Sequence, residues 1–113
     1  MAAYVSNLVI EVGADFNQTF NLEDLGNAPL NLTGYTGASR MKKHHSSLTT
    51  AATFSVTFPN RTQGILKIAL AASATALLKP GRYVYDVLLN DGAEKTRVIE
   101  GSALVTAGIT TTV

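Results

Sequence analysis

The side chains in this sequence that could act on a ligand are few and scattered. The two histidines are adjacent, His44 and His45. Neighbouring residues on a strand point to opposite faces, and in a loop they lack the i, i+2 or i, i+4 spacing that suits chelation. No carboxylate stands near them in sequence to complete a ligand set. They read as two exposed loop side chains, with a metal site shared across an oligomer axis as the sharper alternative. The carboxylates Glu11, Asp15, Glu23, Asp24, Asp86, Asp91, Glu94 and Glu100 are spread along the chain, whereas paired-carboxylate catalysis needs two held close together in a cleft. There is no cysteine, which removes disulfides, thiolate metal ligands and a thiol nucleophile. No phosphate loop, dinucleotide fingerprint or nucleophile elbow occurs. The expectation is a protein that is not an enzyme and carries no cofactor or metal.

Asp86 stands apart because it interrupts an apolar stretch between Tyr85 and Val87. An inward-facing carboxylate there needs a partner, and Arg97 or Arg40 on a neighbouring strand could supply it. The pair Asp86–Arg97 is therefore expected as a cross-strand ion pair that fixes register. Arg40, Lys42 and Lys43 with His44 and His45 form the nearest thing to a basic patch. Nucleic-acid binders concentrate charge on one face, and one short stretch reads as a solvated strand end, so no nucleic acid is expected as a partner. Tyr4, Tyr35, Tyr83 and Tyr85 could line a sugar-binding face, although alternating aromatics in strands more often fill a core. Asn17, Asn31 and Asn60 each begin an Asn-x-Thr triplet, read as coincidence in a chain without a signal peptide.

The elements that must hold these residues are mostly of period two. Tyr4 to Val12 reads as a first strand and Asp15 to Leu22 as a second, with a hairpin at Gly13-Ala14. Glu23 to Pro29 is turn-rich. Tyr35 to Lys43 reads as a strand, because Gly34 and Gly37 penalise helix. After a polar loop from His44, Thr53 to Phe58 is the cleanest half-buried strand, with Phe54, Val56 and Phe58 on one face. Pro59 to Gly64 is a turn, and Ile65 to Leu70 another strand. Ala71 to Lys79 is the one helical candidate, a turn or two that Ser73 could cap, ended by Pro80-Gly81. Arg82 to Asn90 is apolar on both faces and is placed centrally in a sheet. Asp91-Gly92 predicts a type I′ turn, with Lys95 to Ala107 returning across it and Gly101 as a bulge. A short last strand is expected near the Thr-rich tail.

The chain is 113 residues long, a usual size for a single domain, and one domain over 1–113 is expected. The fold class is all-β, an antiparallel immunoglobulin-like β-sandwich of about seven or eight strands with one short helical turn. Only 15% of residues are charged and the net charge is +1, against about 25% charged in an average soluble protein. Such a surface suits one partly covered by a partner. No basic, apolar leader begins the sequence and no apolar run approaches the ~20 residues that span a bilayer. Neither secretion through a signal peptide nor a membrane is therefore expected.

The order of motifs adds a resemblance. Asn27-Ala-Pro-Leu-Asn-Leu-Thr-Gly-Tyr35 leads into the strand carrying Arg40 and Lys42. Gly64-Ile-Leu-Lys-Ile-Ala-Leu70 precedes the helical turn, Pro80-Gly-Arg-Tyr-Val-Tyr-Asp-Val87 opens the long strand, and Arg97-Val-Ile-Glu-Gly101 lies on its return. Over roughly Asp15 to Val105 this resembles small β-sandwich modules of tailed-phage virion proteins, such as the N-terminal domain of baseplate upper proteins and tail-fibre-associated domains. The resemblance implies assembly: a virion component made in the host cytoplasm, with other virion proteins as partners and a homo-oligomer, a trimer being favoured. The chain ends soon after the sandwich, which implies a small separate virion or fibre-associated protein. Contacts are expected from Arg40, Lys42, His44 and His45 and from the terminal residues Ile109 to Val113. A carbohydrate- or ligand-binding sandwich that recognises a cell surface is the alternative.

Overall fold

In the computed structural model, residues 4–23, 26 and 28–108 are described. The chain forms eight strands: β1 Tyr4–Val5, β2 Leu8–Glu11, β3 Phe16–Asn21, β4 Thr36–Lys42, β5 Ala52–Asn60, β6 Ile65–Leu70, β7 Gly81–Asn90 and β8 Lys95–Thr106. A 3₁₀ turn, Arg61–Gln63, follows β5, and the single-turn helix α1, Ala72–Thr75, follows β6.

Hydrogen bonding runs in the order β1–β8–β7–β4–β5–β6–β3, with β2 also on β8. β5 belongs to both layers. Ala52, Thr53 and Phe54 pair with β4, whereas from Ser55 onward β5 pairs with β6. One layer is therefore β1/β2–β8–β7–β4–β5 and the other β5–β6–β3. Among the described residues the sandwich is closed along β5 and open along the side where β1, β2 and β3 end the two layers.

Alternation decides what fills the space between the layers. Tyr83, Tyr85, Val87 and Leu89 of β7 point inward, as do Leu66, Ile68 and Leu70 of β6, Phe16 and Phe20 of β3, and Leu8 and Ile10 of β2; all are buried. Burying one such side chain is worth roughly 1.5–3 kcal/mol. An aromatic seam joins the layers: the rings of Phe16 and Phe54 lie 5.8 Å apart, and those of Phe54 and Tyr85 6.1 Å apart edge to face, spacings at which aromatic rings attract. Gly37 on β4 faces the Val56 side chain so closely that a Cβ would lie 2.6 Å from Val56 Cγ1.

Several local expectations are corrected. β2 and β3 form no hairpin: β2 pairs in parallel with β8, Leu8 opposite Ala103, while β3 pairs with β6. The reason lies in the crossing segment. Gly13 adopts φ 83°, its N–H donates to Thr75 Oγ1 at 3.1 Å, and Thr75 Oγ1 donates to the Ala14 carbonyl at 2.8 Å. Asp15 Oδ1 accepts the Ala72 N–H at 2.7 Å, so Asp15, not Ser73, caps α1. These bonds turn the chain out of one layer and into the other.

The first strand is also broken. Between β1 and β2 the Ser6 carbonyl accepts the Tyr85 hydroxyl at 2.5 Å, and Asn7 Oδ1 accepts both the Ser102 N–H and the Ser102 hydroxyl at 3.1 Å. Gly101 is not a bulge but the place where the Ser6 carbonyl presses against β8, leaving no room for a Cβ. The bulge falls instead at Val98, because Val87 is opposite Ile99 and Leu88 opposite Arg97; it turns both Val98 and Ile99 into the core. The turn after β7 has four residues, not two, since Asn90 pairs with Lys95. Asp91 Oδ1 accepts the N–H groups of Ala93 and Glu94, and these bonds hold its carboxyl below the usual carboxylate range. Residues 109–113, where a last strand was expected, lie outside the described residues.

Candidate functional site

The outward face of the larger layer is built by the residues that alternate with the core. β7 turns Val84, Asp86 and Leu88 outward, β4 turns out Ala38, Arg40 and Lys42, and β8 turns out Arg97 and Glu100. Together with His45 from the loop after β4, they line a shallow groove of about 400 Å³ that is open to solvent. In register, Arg40, Asp86 and Glu100 form a row across three strands.

Asp86 thus faces out, not in: its side chain is 39% exposed. The Arg97 Nε–H donates to Asp86 Oδ2 at 2.9 Å, a diagonal ion pair reaching across the strand pair from beside the Val98 bulge. The Arg40 side chain, although directly opposite Asp86 in the ladder, makes no ion pair or hydrogen bond among the described residues, and neither do the side chains of Lys42 and His45. The backbone of the row is fastened from below, where the buried Ser39 hydroxyl donates to the Asp86 carbonyl at 2.6 Å.

Five of the residues singled out in the sequence, Arg40, Lys42, His45, Asp86 and Arg97, therefore meet in one groove. His44 stands apart, in the turn where its N–H donates to Ser47 Oγ at 3.1 Å. Ile109 and Val113 lie outside the described residues. Among the described residues no three His, Asp or Glu side chains gather to hold a metal ion. The groove offers cationic groups and short apolar stems to a ligand, an arrangement fit for recognising charged side chains.

The described tyrosine side chains do not make a sugar platform, and that of Tyr4 lies outside the described residues. Tyr83 and Tyr85 are core residues and Tyr35 is half-buried. The Tyr83 hydroxyl donates to the Lys79 carbonyl at 2.7 Å. Burial pushes the Tyr85 phenol up to about 12, against the opposing effect of its bond to Ser6.

Reasoning from sequence missed two features. Arg61 is structural: its Nη1 donates to the carbonyls of Leu32 at 3.0 Å and Tyr35 at 2.6 Å, and its guanidinium lies 4.1 Å from the centre of the Phe58 ring. Val5, Val9 and Leu104 are apolar and exposed, at 70%, 61% and 41%. Val9 is directly opposite Leu104 in the β2–β8 ladder, so the two make an apolar strip beside the open edge. The alternation of Leu8 and Ile10 with Val9 was the available signal.

No protein-family model matches the chain, and no curated protein matches it in sequence. Solved structures do. The filamin domain of Lin-41 superposes with a TM-score of 0.53 at 17% identity, over 88% of this chain and 84% of that one. The N-terminal domain of phage TP901-1 ORF48 gives a TM-score of 0.53 at 14% identity, again over 88% and 84%. The fold is an all-β, immunoglobulin-like sandwich. At these identities the likeness is one of fold, and sandwiches of this kind host many roles.

Proposed function

We propose that this chain is a structural, non-catalytic component of a phage particle, tail-fibre or baseplate associated, which works by binding other virion proteins and further copies of itself. The observation that carries the protein-binding part is the apolar strip of Val9 and Leu104 beside a strand edge that pairs with no further strand among the described residues. Apolar side chains next to free backbone donors and acceptors are stabilised by a neighbouring protein that covers both. The phage setting is supported by the fold-wide likeness to the N-terminal domain of phage TP901-1 ORF48, together with the order of sequence motifs.

The carbohydrate-binding alternative draws no support from the tyrosines, since Tyr83 and Tyr85 are spent on the core. The test is quantitative mass spectrometry of purified particles from a lysate in which the chain is encoded. The expected result is the chain in fixed ratio to the tail proteins, with cross-links from the Val5–Glu11 edge to a neighbour. Recovery of the chain only in the particle-free supernatant would refute the virion reading.

A further inference from the structure

At β2 the backbone alternates in what it faces. The Ser6 N–H donates to the Glu100 carbonyl at 2.9 Å and the Val12 N–H to the Thr106 carbonyl at 3.0 Å. Both strands advance by the same number of residues between these bonds, so Leu8 and Ile10 also turn their peptide groups toward β8. Val9 and Glu11 turn theirs the other way, to the open edge, where no further strand lies among the described residues. The Glu11 carbonyl is taken by the Ala14 N–H at 3.2 Å. The N–H and carbonyl of Val9 and the N–H of Glu11 are left facing outward along the edge.

The side chains follow the same alternation. Leu8 and Ile10 are core, while Val9 stands 61% exposed on the outer face beside Leu104. Arg82 is opposite Leu104 on the far side of β8. From the edge inward the row therefore reads Val9, Leu104, Arg82, apolar first and charged behind. The other open edge is unlike it. β3 turns Asn17, Thr19 and Asn21 outward, with Lys67 opposite Thr19. Set against β3 of a neighbour, Val9 would meet amides, a hydroxyl and a nearby cation. Set against a second β2, it meets another Val9.

We infer that two copies of this chain join edge to edge through β2, antiparallel, about a two-fold axis at Val9. The inference rests on the assembly reading above and specifies a second copy as what covers this edge. In that register each Val9 exchanges N–H to carbonyl bonds with its counterpart, and each Glu11 N–H reaches the carbonyl of the partner's Asn7. The outer row runs Arg82–Leu104–Val9 and then back through the partner, an apolar centre with a charged rim. Glu11, the one charged side chain of β2, falls opposite the partner's Asn7 and away from its own counterpart, so no like charges meet. The contact is isologous and closes on itself.

The chain has no cysteine, so single cysteines report the geometry. Across the axis the two Val9 Cα atoms would stand about 5.5 Å apart, inside the roughly 4.4–6.8 Å that a disulfide spans. The two Leu104 residues would be three strand spacings apart, roughly 14 Å. Val9→Cys should therefore oxidise to a covalent dimer and Leu104→Cys should not. Light scattering across a concentration series gives a second reading. Val9→Lys alone and Val9→Glu alone should each associate at least about tenfold more weakly than the parent, because like charges meet at the axis. An equimolar mixture of the two should regain association, which neither misfolded chains nor a contact that parts the two Val9 residues could do. A monomeric parent, a trimer, open-ended growth, or a Leu104→Cys disulfide as ready as that of Val9→Cys would overturn the inference. So would a monomer whose Val9 amide resists exchange, since a segment of the same chain would then cover the edge. A monomer still found in purified particles would remove only this inference and leave the virion reading standing; a two-fold dimer absent from particles would do the reverse.

Discussion

Tyr85 shows how one side chain can serve the core and the backbone together. Its ring meets Phe54, and its hydroxyl satisfies the Ser6 carbonyl where the first strand breaks. Because burial raises its pKa to about 12 from the ordinary 10.0, the folded chain holds a proton that the unfolded chain has released between those values. Stability should therefore fall as pH rises from about 10 through about 12. Urea melts over that range should show a shallower fall for Tyr85→Phe than for the parent. At neutral pH the same variant should lose roughly 1–3 kcal/mol, since it leaves a carbonyl without its donor. Asp86 and Arg97 belong to the other extreme. Their side chains are 39% and 52% exposed, so solvent screens them, and Asp86→Asn should shift stability by less than about 1 kcal/mol. Any larger effect in a denaturant melt would mean that the pair holds register and does more than decorate the groove.

The elements depend on a few positions where the chain changes layer or direction. Gly101 is one: the Ser6 carbonyl occupies the space a Cβ would need. Gly101→Ala should push β1 off β8 at a cost of roughly 1–3 kcal/mol, read as lost amide protection at Tyr4 and Val5. Thr75 is the other. It is fully buried, and its hydroxyl accepts from Gly13 while lying within bonding distance of the Ala14 and Ala72 carbonyls. Thr75→Val keeps the volume and removes the bonds, so it should cost about 1–3 kcal/mol. If the denaturation midpoint did not move, the crossing would be held by packing alone. β7 and β8 are pinned differently, by a four-residue turn with Asp91 as its internal acceptor and by the bulge at Val98.

At the scale of the whole molecule, the described residues form an asymmetric sandwich, sealed by β5 on one side and open at β2 and β3 on the other. Amide exchange should follow that asymmetry. β7, flanked by β4 and β8 and with alternate side chains buried, should exchange slowest, and the β1–β2 edge and the 43–51 loop fastest. Uniform protection across the strands would show that the open side is as firmly held as the closed one. The same asymmetry leaves the apolar strip of Val9 and Leu104 at an edge, where a neighbouring protein can cover it.

Most strands were legible because alternation is a local property. Phe54, Val56 and Phe58, or Tyr83, Tyr85, Val87 and Leu89, show a shared face in the bare sequence, since a pleated strand sends alternate side chains to opposite sides. The all-β class, most of the strands along the chain and the short helix before Pro80 follow from that rule and from turn chemistry. Which strand pairs with which does not. Alternation in Tyr4 to Val12 suits a hairpin with β3 as well as a parallel edge on β8, and the bonds Gly13–Thr75 and Asp15–Ala72, spanning 62 and 57 residues, chose the second. The outward aim of Asp86 was hidden for the same reason: alternation says that it opposes Tyr85, and only packing says which of the two is inside. The groove of Arg40, Lys42, His45, Asp86 and Arg97 arises where three strands and a loop from distant parts of the chain come side by side. Local physics wrote the strands; long-range packing decided their neighbours, and with them every surface a partner could meet.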